Sequence, residues 1–329
     1  MRRIRIYALG IAMLFVCLTI VGCGNKTEAE PVERQQISSD TQENDNTDTQ
    51  ETEIPDDGKF HGKWVVDAEY AAGRVGADDV LFVDGRGEKQ AILGTIEGAV
   101  ATVWQDWSIQ EGKAGDETWG CIQDADTLEQ TLGNLGISKE KEIIVLGETL
   151  DGWGDDARLV WELLAAGYTD VKMVDGGYSA IKEAGAATQF MGSKPDSVEV
   201  TIDEIDYSHV MTTEELMENY EDYKVVDVRT DEEYNGAILY DEAQGGHLPG
   251  AIHIRYTDLF QEDGTLKPNK ELIQMFQDAG LSEEDAIVAY CTGGIRSAYT
   301  QLVLEMCGFE NSYNYDQSFW RWAVVGEAE

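Results

Sequence analysis

At 329 residues the chain is too long for one ordinary hydrophobic core, which sets an expectation of two domains with appendages. A formal net charge of -40 excludes nucleic acid and anionic membrane surfaces as electrostatic partners. Four scattered histidines (His61, His209, His247 and His253) and five cysteines without Cys-x-x-Cys or other metal-ligand spacing predict no metal, and no segment calls for a cofactor.

Residues 1–23 combine a basic start (Arg2, Arg3, Arg5) with an apolar run from Ile6 to Val21 that ends Gly22-Cys23. The run is short for a membrane span, and the segment resembles a bacterial lipoprotein signal peptide. That resemblance implies cleavage before Cys23, lipidation of Cys23 and an extracytoplasmic protein anchored to the bacterial cell membrane. The alternative is a signal anchor kept as one transmembrane helix. Residues 24–59 are dominated by Glu, Asp, Gln, Asn, Ser and Thr, so they bury too little apolar surface to offset ordering and read as a flexible acidic tether.

From residue 60 the chain turns periodic. Val80-Leu81-Phe82-Val83 reads as a short buried strand running into Asp84-Gly85-Arg86, followed by a turn at Gly94–Ala99. A helix leaves through Gly136-Ile137-Ser138, and a strand covers Glu142–Leu146. The loop that follows, Gly147 to Asp156, carries four carboxylates (Glu148, Asp151, Asp155 and Asp156) and reads as a solvated acidic loop capping the next helix rather than a cation site. A helix over Ala157–Gly167 and a strand over Val171–Val174 complete residues 60–184, and residues 185–210, with Gly192 and Pro195, read as a linker.

The same order then returns in residues 211–329. Lys224-Val225-Val226 leads into Asp227-Val228-Arg229, the turn becomes Gly246-His247-Leu248-Pro249-Gly250-Ala251, and the helix exit becomes Gly280-Leu281-Ser282. The strand Ala286–Tyr290, a helix over Ala298–Gly308 and a strand over Ser312–Tyr315 follow. Strands alternating with helices predict an α/β fold of two tandem domains, each a mainly parallel sheet flanked by helices.

The halves differ at the loop that leaves the central strand, which in the first is longer, acidic and without cysteine. Where the first has Gly147, the second has Cys291, opening Cys291-Thr292-Gly293-Gly294-Ile295-Arg296. The glycines let backbone N–H groups turn inward, a helix N-terminus points at the same spot, and Arg296 adds positive charge. Each effect lowers a thiol pKa and favours a nucleophilic thiolate. The bland alternative is a cysteine buried at a strand end. Cys307, near a helix end, reads as core, and Cys121 as a loop or surface thiol. Trp320 and Trp322 read equally as pocket mouth or core.

Taken in order, Asp227-Val228-Arg229, Gly246-His247-Leu248-Pro249-Gly250-Ala251-Ile252, Asp263-Gly264-Thr265-Leu266-Lys267-Pro268 and the Cys291 loop resemble the tandem rhodaneses. These are two-domain sulfurtransferases that include thiosulfate and 3-mercaptopyruvate enzymes. The resemblance implies a silent first domain and a catalytic second one. It also implies that Cys291 takes sulfur from an anionic donor (thiosulfate, 3-mercaptopyruvate or polysulfide) as a persulfide and passes it to a thiol- or cyanide-type acceptor. Residues 292–296 would cradle the anion, with Asp227, Arg229 and His247 in support. Two departures leave the donor open: Arg296 stands where these enzymes commonly carry Thr, and Asp231-Glu232-Glu233 replaces a further substrate-binding arginine of the thiosulfate enzymes. A cysteine phosphatase or arsenate reductase is a rival, but its Cys-to-Arg loop is one residue longer. A non-catalytic binding module and a thiol redox protein using Cys121 or Cys307 are the others.

Overall fold

The computed structural model describes residues 55–329, so the expected signal segment, Cys23 and most of the acidic tether lie outside the described residues. Among the described residues no helix is long and apolar enough to cross a membrane.

The first domain runs β1 (Val65–Val66), α1 (Ala68–Arg74), β2 (Val80–Asp84), α2 (Glu88–Ala91), β3 (Thr95–Ile96), β4 (Val100–Ala101), α3 (Ala125–Asn134), β5 (Glu142–Leu146), α4 (Asp155–Ala165), β6 (Val171–Val174), α5 (Gly177–Glu183) and β7 (Thr188–Gln189). The second runs β8 (Val210–Met211), α6 (Thr213–Glu218), β9 (Lys224–Asp227), α7 (Asp231–Tyr234), β10 (Ile252–His253), α8 (Asn269–Asp278), β11 (Ile287–Tyr290), α9 (Ile295–Met306), β12 (Ser312–Tyr315) and α10 (Ser318–Val325). The strand orders are β1-β6-β5-β2-β4 and β8-β12-β11-β9-β10, with every neighbouring pair parallel. The two sheets therefore repeat strand for strand, as the periodicity predicts. Central strands β2, β5 and β11 are buried along their whole length, as expected of parallel strands covered on both faces.

Register aligns the halves residue by residue. Asp84 faces Leu146 across β2 and β5, and Asp227 faces Tyr290 across β9 and β11. Gly147 and Cys291 therefore leave their sheets at the same point. In the segment 185–210, β7 turns back to pair antiparallel with β3, and Val210 already belongs to β8. Two-residue strands of this kind are too short for periodicity to reveal.

The domains meet along α4 and α9, the equivalent helices of the repeat. Residues 156–163 of α4 and 295–304 of α9 are buried all round, because each helix packs on its own sheet with one face and on the other domain with the opposite face. Burying polar side chains there requires full partnering. Arg158 on α4 meets much of this need: Nε donates to Glu162 Oε1 at 2.8 Å, Nη1 to Asp316 Oδ1 and to the Gly294 carbonyl at 3.2 Å, and Nη2 to the Gly120 carbonyl at 3.2 Å, while Glu162 Oε2 is left without a partner. Burial works against the Arg158 charge, but Asp316 and Glu162 raise its pKa and hold it cationic. Burial lifts Glu162 to about 7.

Removing one partner of a buried ion pair strands the other in low dielectric. Arg158→Met is expected to cost about 3–5 kcal/mol, read as a lower urea midpoint. A cost below about 1 kcal/mol, the range of exposed pairs, would show that the network does not hold the domains together.

Candidate active site

The Asp-x-Arg motif of each half is architecture. Arg229 binds Asp227 (Nη2 to Oδ2, 2.6 Å), donates to the Gly246 carbonyl at 2.7 Å and lies 4.0 Å from the Phe319 ring centroid. Arg86 does the same in the half with Gly147 in place of Cys291. It binds Asp84 at 2.8 Å, donates to the Gly94 carbonyl at 2.9 Å and lies 3.5 Å over Tyr178. Each arginine locks its turn to its sheet. In the second half Tyr290 adds to the lock, its hydroxyl donating to Asp227 Oδ2 at 2.5 Å and accepting from Leu248 N at 3.0 Å.

His247 sits in that turn. Its ring stacks on Tyr234 at 3.9 Å and its Nδ1 lies 3.1 Å from the Tyr234 carbonyl oxygen, while His253 stacks on the other face of Tyr234 at 4.2 Å. The sandwich fixes the end of α7. Thr230 caps α7 in a reciprocal box with Glu233, which turns the Glu233 carboxylate inward rather than to solvent. Glu233 is completely buried and accepts from Arg296 Nη1 at 2.8 Å, Arg296 Nη2 at 2.7 Å and Thr292 Oγ1 at 2.6 Å. Burial works against its charge, but Arg296, Thr292 and the Thr230 N–H together bring its pKa down to about 2.

At the end of β11 the chain enters the Cys291 loop. Gly294 has φ +86°, and a Cβ there would meet the Asp316 carbonyl oxygen at 2.4 Å, so only glycine fits. Gly293 lies against the Trp320 ring, where a Cβ would come within 2.1 Å. Cys291 is 1% exposed. Its Sγ accepts from the Gly294 N–H at 3.2 Å and faces the Ser297 hydroxyl at 3.6 Å. Burial raises the Cys291 pKa, yet the Arg296 charge, the Ser297 hydroxyl and the N–H groups of Ser297 and Gly293 outweigh it, leaving the thiol below its ordinary value. The other thiols go the opposite way: burial pushes Cys307 up to about 12 and raises Cys121 further. Cys307 is buried and Cys121 half-buried, both are free, and neither lines the space above Cys291.

Ser318 backs the loop. Its backbone is left-handed at φ +51°, where the first half has Gly177 at φ +60°. The reason is chemical, because Ser318 Oγ accepts from Cys291 N at 3.1 Å and donates to the Tyr315 carbonyl at 2.6 Å. Gln317 joins the domains, accepting from Thr213 N at 2.8 Å and donating to the Glu117 carbonyl. Sequence reasoning attached no consequence to this stretch.

The space directly over Cys291 is about 20 Å³, room for one water-sized atom. Its outer wall is Trp153 from the first domain with Tyr240 and Trp320. Trp153 and Tyr240 meet edge to face at 5.3 Å, and Trp320 meets Trp119 at 4.8 Å. Of the tryptophans weighed from sequence, Trp320 lines the mouth, whereas Trp322 is core. The first-half acidic loop is only partly solvated. Asp151 is exposed, but Asp156 is fully buried at the start of α4, and burial lifts Asp155 to about 6 and Asp156 to about 7. Among the described residues no group of three or more His, Cys, Asp or Glu is placed to hold a metal ion.

Alkylation of Cys291 followed against pH is expected to rise with a midpoint below the ordinary thiol value of about 8.5. Ser297→Ala removes a hydrogen bond worth about 1 kcal/mol to the thiolate, so its midpoint moves up by about 0.7. An unchanged midpoint would show that Ser297 does not stabilise the thiolate.

The family model described as Rhodanese-like domain matches this chain twice, over residues 67–184 and 212–324. The putative thiosulfate sulfurtransferase of Mycolicibacterium smegmatis is 30% identical over 275 residues, covering 78% of this chain and 92% of the relative. The thiosulfate sulfurtransferase of Corynebacterium glutamicum is 26% identical, covering 80% and 88%. Among solved structures, the 3-mercaptopyruvate sulfotransferase SseA from Escherichia coli aligns with a TM-score of 0.67 at 22% identity, over 77% of this chain and 98% of that one. EanB aligns with a TM-score of 0.69 at 20% identity, over 81% and 69%. Two matched domains with one strand order, and a relative this similar along nearly its whole length, make the chain a member of the rhodanese family, built as two tandem rhodanese-like domains.

Proposed function

We propose that the protein is a sulfurtransferase that moves sulfur from a small donor to a thiophilic acceptor through a persulfide on Cys291. The observation that carries this reading is the geometry at Cys291: among the described cysteines it alone sits in a glycine loop whose Gly294 N–H points at its sulfur, with Arg296 beside it and a small space in front of it. The names of the relatives, thiosulfate sulfurtransferases, support sulfur transfer in general.

The chemistry follows from the loop. The Cys291 thiolate attacks the outer sulfur of the donor; the donor bond to that sulfur breaks, and its electron pair leaves with the remainder of the donor. The new Cys291 persulfide keeps its negative charge among the loop N–H groups, which act as an anion hole. An acceptor nucleophile such as cyanide or a thiolate then attacks the outer sulfur, and the electron pair returns to Cys291 as thiolate. Thiosulfate, 3-mercaptopyruvate and polysulfide are the candidate donors. The four-residue spacing from Cys291 to Arg296, one short of the phosphatase loop, and the hold of Glu233 on Arg296 disfavour a phosphatase reading.

Incubating residues 60–329 with each donor should add the mass of one sulfur, removed again by cyanide and absent in Cys291→Ser. No gain with any donor, alongside rapid Cys291 alkylation, would overturn the reading.

We also propose that the protein works outside the cytoplasm, held by lipid on Cys23 through the tether of residues 24–59. The full chain should sediment with membranes and Cys23→Ser should not; equal sedimentation of both would sink the lipid anchor.

A further inference from the structure

The charges around Cys291 bear on which donor the site takes. Arg296 is the one cation among the residues lining the space over Cys291, and Glu233 grips it with both carboxylate oxygens. With Cys291 as thiolate, the three groups sum to one negative charge. A neighbouring cavity of about 320 Å³ shares Trp153, Tyr240 and Arg296 with the first and is large enough for the body of a small organic molecule. The other two arginines on it are also taken. Arg229 is paired with Asp227, with only its Nη1 left unpartnered, and Arg255 is held by Asp258 and Asp231. Asp151 on the same wall adds negative charge, Thr230 and Thr257 add hydroxyl-bearing side chains, and Leu150, Trp153 and Tyr240 give it an aromatic and aliphatic side. A dianion entering here meets no unpaired cation and, beyond it, a chain of net charge -40. An apolar body with at most one charge meets matching surface.

We infer that the site selects an organic sulfane-sulfur donor, a thiosulfonate or persulfide with an apolar or aromatic body and at most one negative charge, over the thiosulfate dianion, and that Glu233 sets this preference by neutralising Arg296. The inference rests on the sulfur-transfer reading above. With a thiosulfonate, Cys291 Sγ bonds to the terminal sulfur, the sulfur–sulfur bond breaks and the electron pair leaves on the sulfinate. With a persulfide the pair leaves on the thiolate. Neither step needs an oxidant or reductant.

Thiosulfate, methanethiosulfonate and benzenethiosulfonate separate charge from aromatic contact. Thiocyanate formation with cyanide as acceptor gives kcat/KM for each, divided by the rate of the same donor with a free thiol to remove intrinsic reactivity. The expected order is benzenethiosulfonate, methanethiosulfonate, thiosulfate, spanning about tenfold or more. Glu233→Gln should raise kcat/KM for thiosulfate about threefold or more relative to methanethiosulfonate. Trp153→Ala, a change at a side chain 43% exposed, should bring benzenethiosulfonate down to methanethiosulfonate; it keeps the test decisive if Glu233→Gln does not fold. Thiosulfate equal to or better than the thiosulfonates, or a preference untouched by Trp153→Ala, would overturn the inference while leaving sulfur transfer standing. No turnover with any donor would overturn both.

Discussion

The contact on which the Cys291 loop depends is made by the other domain, which has Gly147 at the equivalent position. Arg158, on α4, reaches across the interface to the Gly294 carbonyl and Asp316, and Asp316 in turn accepts from Ile122 N of the first domain at 3.1 Å. Gly294 supplies the N–H that faces Cys291 Sγ. The peptide units on either side of this residue thus serve different ends, the carbonyl anchored from the far domain and the N–H presented to sulfur. A loop held at both sides has little freedom to relax when charge develops, which is the condition for electrostatic stabilisation without reorganisation.

The repeat shows how a nucleophile is added to a scaffold that stands without one. Both halves keep the arginine lock between sheet and turn, so that lock belongs to folding. Several of the differences that bear on the nucleophile lie around the β11 exit. Gly147 becomes Cys291, Leu146 becomes Tyr290 with its hydroxyl on Asp227, and Gly177 becomes Ser318 with its hydroxyl under the Cys291 N–H. Ser318 accepts a left-handed backbone that costs about 1–2 kcal/mol in exchange for that hydrogen bond.

Much of this was legible in the sequence. Buried parallel strands announce themselves as apolar runs, and the Cys291 loop is local, so its glycines, helix start and arginine stand in order within six residues. What sequence reasoning missed lies far along the chain or depends on side-chain direction. Glu233 sits in an acidic run that looks solvent-facing, and only the capping box with Thr230 shows why it turns in. Trp153 and Arg158 come from the other domain, and no spacing rule links them to Cys291. The acids at 155 and 156 looked like a solvated helix cap because sequence carries no sign that α4 is buried on all sides.

That burial bears on how such a duplicated chain can change over generations. A half with glycine where its twin has cysteine would, if it stood alone, be free to drift or be deleted. Here α9, which begins in the Cys291 loop, has its outer face covered by α4, so shedding the first half would leave a bare apolar helix at the root of that loop. A change on α4 is thus felt at the root of the Cys291 loop, and the first domain serves the second as its shield from solvent.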